Sequence, residues 1–286
     1  MQLIKNQEDF DKICEKLETE QTLFIDTEFQ RKKTYYAKLS LVQIASKHHK
    51  VVIDVLLIDD LTGLKNLLAN EEILKVFHAP DQDLDIFLHI FKQLPKNIFD
   101  TQIAAWVVGL DECMGYSRLC KALLNLELDK SLQNSNWLKR PLTDDLLEYA
   151  IKDVEYLIPL HRELSATLTK RKLWDTYNDK SAKWLKEGTY KINPDKVIKR
   201  MKLLDYSDRY KHKIKSLILL REECAQTLDL PRFFCAADKD LTRLCRELPT
   251  TEAELVKMNF LKKPIARRQF KKKLLELCAG LREFKL

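Results

Sequence analysis

Glycine is scarce in this chain, five in 286 residues, and none of the five falls into the glycine-rich spacing of a P-loop or a dinucleotide-binding turn. Nucleoside-triphosphate hydrolysis and nicotinamide chemistry lose their main support. The seven cysteines, at 14, 113, 120, 224, 235, 245 and 278, are odd in number and form no Cys-x-x-Cys pair. This argues against a disulfide framework and a zinc knuckle, and for reduced, structural thiols. Membrane signals are lacking too. The apolar run VVIDVLLI (51–58) is too short to span a bilayer and carries Asp54, and MQLIKNQEDFDKICEKL places acids where a secretory signal needs an unbroken apolar core. A cytoplasmic protein with no membrane partner is expected, and nothing predicts a protein partner.

What is present is apolar mass and unevenly placed charge. An apolar content of 45% in 286 residues can fill one large and one small core. The net charge of +7 divides into +8 for residues 201–286 and −1 for residues 1–200. Within the basic part, KKPIARRQFKKK (262–273) has seven Lys or Arg and no acid. Such a run attracts phosphates without reading sequence, although a solvated helix face would look the same.

The stretch TLFIDTEF, Thr22 to Phe29, sets two carboxylates directly after an apolar run. Leu23, Phe24 and Ile25 read as a strand covered on both faces. Side chains alternate along a strand, so Asp26 and Glu28 share one side and Thr27 opposes them. Two like charges held this close repel unless a cation sits between them or one is protonated; the bland alternative is a strand end with both acids in water.

KLSLVQIA (38–45) and KVVIDVL (50–56) read as an antiparallel hairpin closed by SKHHK. A helix over 61–70, a fourth strand over 73–79 and a helix over 80–94 opened by Pro80 follow, the last with Leu84, Phe87, Leu88 and Phe91 facing the core. Residues 143–171 read as one long helix with Thr143 as N-cap. Gly and Pro interrupt a polar stretch at KEGTYKINPDK (186–196), which suggests a domain over 1–185, a linker over 186–203 and an all-helical domain over 204–286. That last part contains a capping box, Thr251 with Glu254, and a final apolar stripe of Phe270, Leu274, Leu277 and Leu281.

Acids recur beside core-facing surface in two further places. Asp81, Asp83 and Asp85 crowd the start of the helix at 80–94, where compensation of the helix dipole accounts for one or two of them; periodicity does not choose among them. Tyr149 and Asp153 stand four apart on one helix face, in line with Tyr156 and Leu160. Taken alone, this pair could simply hydrogen-bond.

In that order, Asp26-x-Glu28, an acid at a helix start, then Tyr149-x-x-x-Asp153, the chain resembles the DEDD superfamily of 3′→5′ exonucleases in its tyrosine variant, and within it the ribonuclease D family. The likeness runs through FIDTEFQRKKTYYAKLSLVQIA, VFHAPDQDLDIF, IFDTQIAA, LDKSLQNSNWLKRPLT and EYAIKDVEYL. It implies an α/β fold, a ribonuclease H-like mixed sheet flanked by helices. It selects Asp83 as the third carboxylate and implies that Asp26, Glu28, Asp83 and Asp153 hold two divalent cations, Mg²⁺ or Mn²⁺, about 4 Å apart, with Tyr149 orienting the attacking water. Glu148 stands where the histidine variant would need its histidine. The implied function is 3′-end hydrolysis of RNA to 5′-monophosphates, with tRNA precursors carrying 3′ extensions as the partner; a DNA 3′→5′ exonuclease and a non-catalytic RNA-binding protein are the alternatives. Residues 216–258 resemble a helicase-and-RNase-D C-terminal (HRDC) domain. Two departures stand out: there is room for one such domain where well-known members have two, and Asn136 precedes Trp137 where the family often has Asp.

Overall fold

A computed structural model of the chain describes residues 1–283. The chain forms two compact units, one of Met1–Gln30 with Ala37–Tyr190, the other of Arg31–Tyr36 with the chain from Lys191 onward. The first is built on β1 (Gln2–Ile4), α1 (Gln7–Leu17), β2 (Thr22–Gln30), β3 (Lys38–Ala45), β4 (Lys50–Asp54), α2 (Thr62–Ala69), β5 (Leu74–Phe77), α3 (Asp81–Phe91) and β6 (Ile98–Asp100). Helices α4 (Thr101–Val107), α5 (Tyr116–Leu124), α6 (Asp144–Glu155), α7 (Leu157–Lys170) and α8 (Trp174–Ser181) complete it. The six strands form one mixed sheet in the order β1-β4-β3-β2-β5-β6.

The expected hairpin is β3–β4, antiparallel, with Val42 opposite Ile53. β2 pairs antiparallel with β3 and parallel with β5, and so lies at the centre of the sheet. Leu23, Phe24 and Ile25 are buried, as a doubly covered strand requires. In α3, Leu84 and Phe87 are fully buried while Leu88 and Phe91 pack at the core margin. Gly63 in α2 allows a close approach to α1, since a Cβ there would sit 2.8 Å from the Cys14 sulfur.

Two expectations change. The helix expected over 143–171 is two helices that meet at Tyr156. Pro159 gives the physical reason: it has no N–H to offer the carbonyl of Glu155, and its ring crowds that carbonyl. The stretch expected as a linker, 186–203, is folded. A 3₁₀ turn over Glu187–Tyr190 closes the first unit, and α9 (Pro194–Arg200), N-capped by Asn193, buries Val197 and Ile198 in the second. Gly188 lies within that turn and Pro194 opens α9, and the unit boundary falls between Tyr190 and Lys191.

The second unit continues with α10 (Asp208–Thr227), α11 (Arg232–Cys235), α12 (Asp238–Glu247), α13 (Glu252–Lys257) and α14 (Arg268–Glu283). The capping box forms as read: the Thr251 hydroxyl accepts from Glu254 N and the Glu254 carboxylate from Thr251 N. Phe270, Leu274 and Leu281 of α14 are buried, with Cys278 rather than Leu277 completing the stripe. Segment 31–36 belongs to this unit through Tyr35 and Tyr36, whose backbone N–H groups both donate to Asp229 at 3.0 Å. The Tyr35 hydroxyl donates to Glu222, which is 4% exposed and also accepts from Arg232 Nε and Nη2 at 2.6 and 2.7 Å. Arg221, 2% exposed, pairs with Asp238 at 2.7 Å.

Candidate active site

The pairing of β2 with β5 ends at Phe24 opposite Val76, so from Ile25 onward β2 has no strand partner on that side among the described residues. Asp26 and Glu28 lie on this overhang. Toward β3, Asp26 stands opposite Gln43 and Glu28 opposite Leu41, and the register shifts between Glu28 and Phe29. β5, the parallel neighbour, leads at its C-terminal end into α3, which carries Asp83. Helix α6 packs on β2, β3 and β4 and brings in Tyr149 and Asp153.

Asp26, Glu28 and Asp153 each offer a carboxylate oxygen, and the three atoms lie within 4.8 Å of one another. All three residues are partly buried. Asp83 stands beside this triangle rather than in it; it is 8% exposed and accepts a hydrogen bond from the Thr27 hydroxyl. Burial separates the three acids of α3, since Asp81 is exposed and Asp85 partly so. Tyr149 packs its ring on Trp137 at 6.0 Å between centroids. With Asp153 it lines a cleft of about 450 Å³, whose other walls include Glu127, Asp129 and Lys152.

Electrostatics follows from this crowding. Burial, then the charges of Asp83, Asp153 and Glu28, hold Asp26 well above the usual carboxylate range. Glu28 is pushed up to about 9 by burial, then by Asp153 and Asp83. Burial raises Asp153 to about 7, and raises Asp83 to about 6 against the opposing bond from Thr27. Tyr149 is raised by burial and by Asp153, Glu28 and Asp26. Four acids so placed cannot all carry charge unless positive charge joins them. An oxygen-only donor set with neither His nor Cys fits a hard divalent cation such as Mg²⁺ or Mn²⁺.

Sequence reasoning missed three neighbours of this cluster. Thr27 opposes its flanking acids along the strand, yet it is the donor that fixes Asp83. Gln43, directly opposite Asp26, is 0% exposed, and neither of its amide atoms has a partner among the described residues. Directly opposed residues share a face, so a polar side chain amid LSLVQIA was the available signal. Asp100, also fully buried, accepts from Ala79 N at 3.0 Å and Trp184 Nε1 at 3.0 Å, and so fixes the turn that opens α3.

Comparison with known proteins identifies the family and the fold. A family profile described as 3′–5′ exonuclease matches residues 1–169. Ribonuclease D of Acidiphilium cryptum is 33% identical over 279 residues, which span 97% of this chain and 71% of that protein. The chain belongs to the ribonuclease D family. Ribonuclease D of Zymomonas mobilis is 37% identical over 249 residues, 86% of this chain and 64% of that one. Among solved structures, Escherichia coli RNase D, described as an exoribonuclease involved in structured RNA processing, matches with a TM-score of 0.83 at 27% identity. The match covers 99% of this chain and 75% of that chain. Membership of the ribonuclease D family makes the protein a 3′–5′ exoribonuclease, a phosphodiester hydrolase, and the mixed sheet with flanking helices is the family's fold.

Proposed function

We propose that this exoribonuclease trims tRNA precursors with 3′ extensions at a two-cation centre held by Asp26, Glu28, Asp83 and Asp153, releasing 5′-monophosphates. The observation that carries the reading is the approach of three carboxylate oxygens to within 4.8 Å on partly buried residues, with Asp83 alongside. When bound, the cations would neutralise the charge that builds on the phosphodiester and favour a deprotonated attacking water. Asp26, central in the cluster, suits a ligand shared by both. The Tyr149 hydroxyl, which has no hydrogen-bond partner among the described residues, is free to orient the water that attacks phosphorus as the bond to the 3′ oxygen breaks. Among the described residues no helix is long and apolar enough to cross a membrane.

The second unit is proposed to be HRDC-like and to hold RNA. Its basic run is partly neutralised: Lys263, Lys271, Lys272 and Lys273 pair with Asp240, Glu252, Glu276 and Glu223. Lys262 and Arg268 are exposed and have no carboxylate partner among the described residues. Phe233 and Phe234, 60% and 48% exposed with rings 4.4 Å apart, add an aromatic surface on which bases stack.

A time course with Mn²⁺ or Mg²⁺ on 3′-extended and mature tRNA, beside a DNA oligonucleotide matched to the extension, tests the substrate. The extended RNA should shorten stepwise to near the mature end. Faster digestion of DNA, or equal attack on mature tRNA, would contradict it.

A further inference from the structure

We propose that Arg140 is a positioning residue for the hydrolytic step, acting through Trp137 on Tyr149; the inference rests on the role given to Tyr149 above. Because the Tyr149 hydroxyl has no hydrogen-bond partner among the described residues, its place is set by what packs on its ring. The indole of Trp137 is one such contact, 6.0 Å away at an interplanar angle of 36°, beside the core cluster against which Tyr149 packs. Trp137 lies in a stretch without regular structure between α5 and α6, yet is only 2% exposed. Its own indole N–H is buried without a partner among the described residues. The indole therefore cannot fix itself by a hydrogen bond.

The backbone does so instead, through a clamp. The Trp137 carbonyl accepts from Arg140 Nη1 at 2.6 Å and from the Ser40 hydroxyl at 2.6 Å. Arg140 Nη1 also donates to the Lys139 carbonyl at 2.9 Å, and Nη2 to Ser40 Oγ at 3.0 Å. The other edge of the guanidinium grips Asp54 in bidentate fashion, Nε to Oδ2 at 2.5 Å and Nη2 to Oδ1 at 2.6 Å. Asp54 ends β4, and its side chain is 2% exposed, so the grip is anchored in the sheet. Another tie on this stretch, Gln30 Nε2 to Asn136 Oδ1 at 3.2 Å, is exposed and worth little by comparison. A planar fork satisfies both the carboxylate and the carbonyl geometry, which an ammonium cannot do.

The test is single-turnover cleavage of a short single-stranded RNA at saturating Mn²⁺ by four forms of the full chain: wild type, Arg140→Lys, Tyr149→Phe and the double variant. Arg140→Lys should lower the rate about tenfold, the scale of a small misplacement of a catalytic group, with RNA affinity and half-activating Mn²⁺ unchanged. In the Tyr149→Phe background the same change should cost less than about twofold, because both act on one element. An equal loss in both backgrounds would overturn the role of Arg140, since a merely structural residue multiplies with Tyr149. A wild-type rate for Tyr149→Phe would overturn the reading of Tyr149 beneath it. If Arg140→Lys does not fold, Ser40→Ala, which removes one bond to the Trp137 carbonyl and leaves the ion pair intact, should show the same coupling with a loss of about threefold; no loss, or a loss that multiplies, would overturn the clamp.

Discussion

The two units bury charge in opposite ways. Among the described residues of the helical unit each strongly buried charge has an opposite charge against it: Glu222 accepts from Arg232, and also from Tyr35, and Arg221 from the same helix pairs with Asp238. In the nuclease unit Asp26, Glu28 and Asp153 converge with Asp83 nearby, like charges that form no ion pair with a Lys or Arg among the described residues. The first arrangement balances its charges as it stands and serves the fold, although Arg221 Nε and Nη2 are buried without a hydrogen-bond partner among the described residues. The second is stable only when protons or cations are added, a cost that fits the catalytic role proposed for it. Asp54 with Arg140 shows that the nuclease unit also pairs its charges where it only needs rigidity.

The largest effect should come from breaking the unpaired cluster. Asp26→Asn should lower turnover on the order of 10³-fold while the protein stays folded, since several kcal/mol of charge stabilisation depends on the ligands. Circular dichroism beside steady-state rates checks both halves. Tyr149→Phe should come next, with a loss of about 10²-fold in the chemical step and RNA affinity preserved, read by single-turnover kinetics and filter binding. Removing one partner from the satisfied region should act on stability instead. Arg232→Met leaves Glu222 buried without its cation and should cost about 2 kcal/mol in urea unfolding, below the range for a fully buried pair because Arg232 is 42% exposed.

A pH scan sharpens the same contrast. Glu28 is held at about 9 and Asp153 at about 7 in the metal-free fold, above their values in an unfolded chain. Between pH 6.5 and 8 these groups therefore bind more protons in the native state than in the unfolded state and make stability fall as pH rises; above 8 Lys75, lowered to about 8 by burial, acts in the opposite sense. The window starts at 6.5 because His78, lowered to about 4 by burial, makes stability rise with pH below that. Metal-free melting temperatures should decline across the window, and Asp26→Asn should flatten the decline. The smallest effect concerns the basic run: Lys262→Ser with Arg268→Ser should reduce the slope of log affinity against log salt by about 1.4, whereas Lys271→Ser, whose lysine already pairs with Glu252, should change it far less.

Asp26, Glu28 and Asp153 were legible because they obey local geometry: alternation put Asp26 and Glu28 on one side, and the four-residue spacing put Tyr149 and Asp153 on one face; Asp83 was not, since periodicity did not choose it from Asp81 and Asp85 and only the family resemblance did. Strand β2, the β3–β4 hairpin and the caps of α6 and α13 were legible for the same reason. β1 and β6 were not, since three residues are too few to show a period. The split at Tyr156 was present in the sequence as Pro159 but hidden by the apolar stripe that runs through it. Thr27, Gln43, Asp54 and Arg140 take their importance from residues up to 100 positions away, as Ser40 and Arg140 show, and no local pattern carries that. Segment 31–36 likewise carries no local sign of its partners, and the bonds of Tyr35 and Tyr36 to Asp229 and of Tyr35 to Glu222 assign it to the helical unit.

Thermal unfolding of the wild type and Asp26→Asn, each with and without Mn²⁺, tests the carboxylate cluster most directly. Without metal the variant should melt higher, by roughly 2–4 °C for each kcal/mol of repulsion relieved, because one of the crowded charges is gone. Saturating Mn²⁺ should then raise the wild type well above its metal-free value and leave the variant almost unmoved. A variant that melts lower without metal and gains as much from Mn²⁺ as the wild type would contradict the account, for Asp26 would then be neither a crowded charge nor a cation ligand.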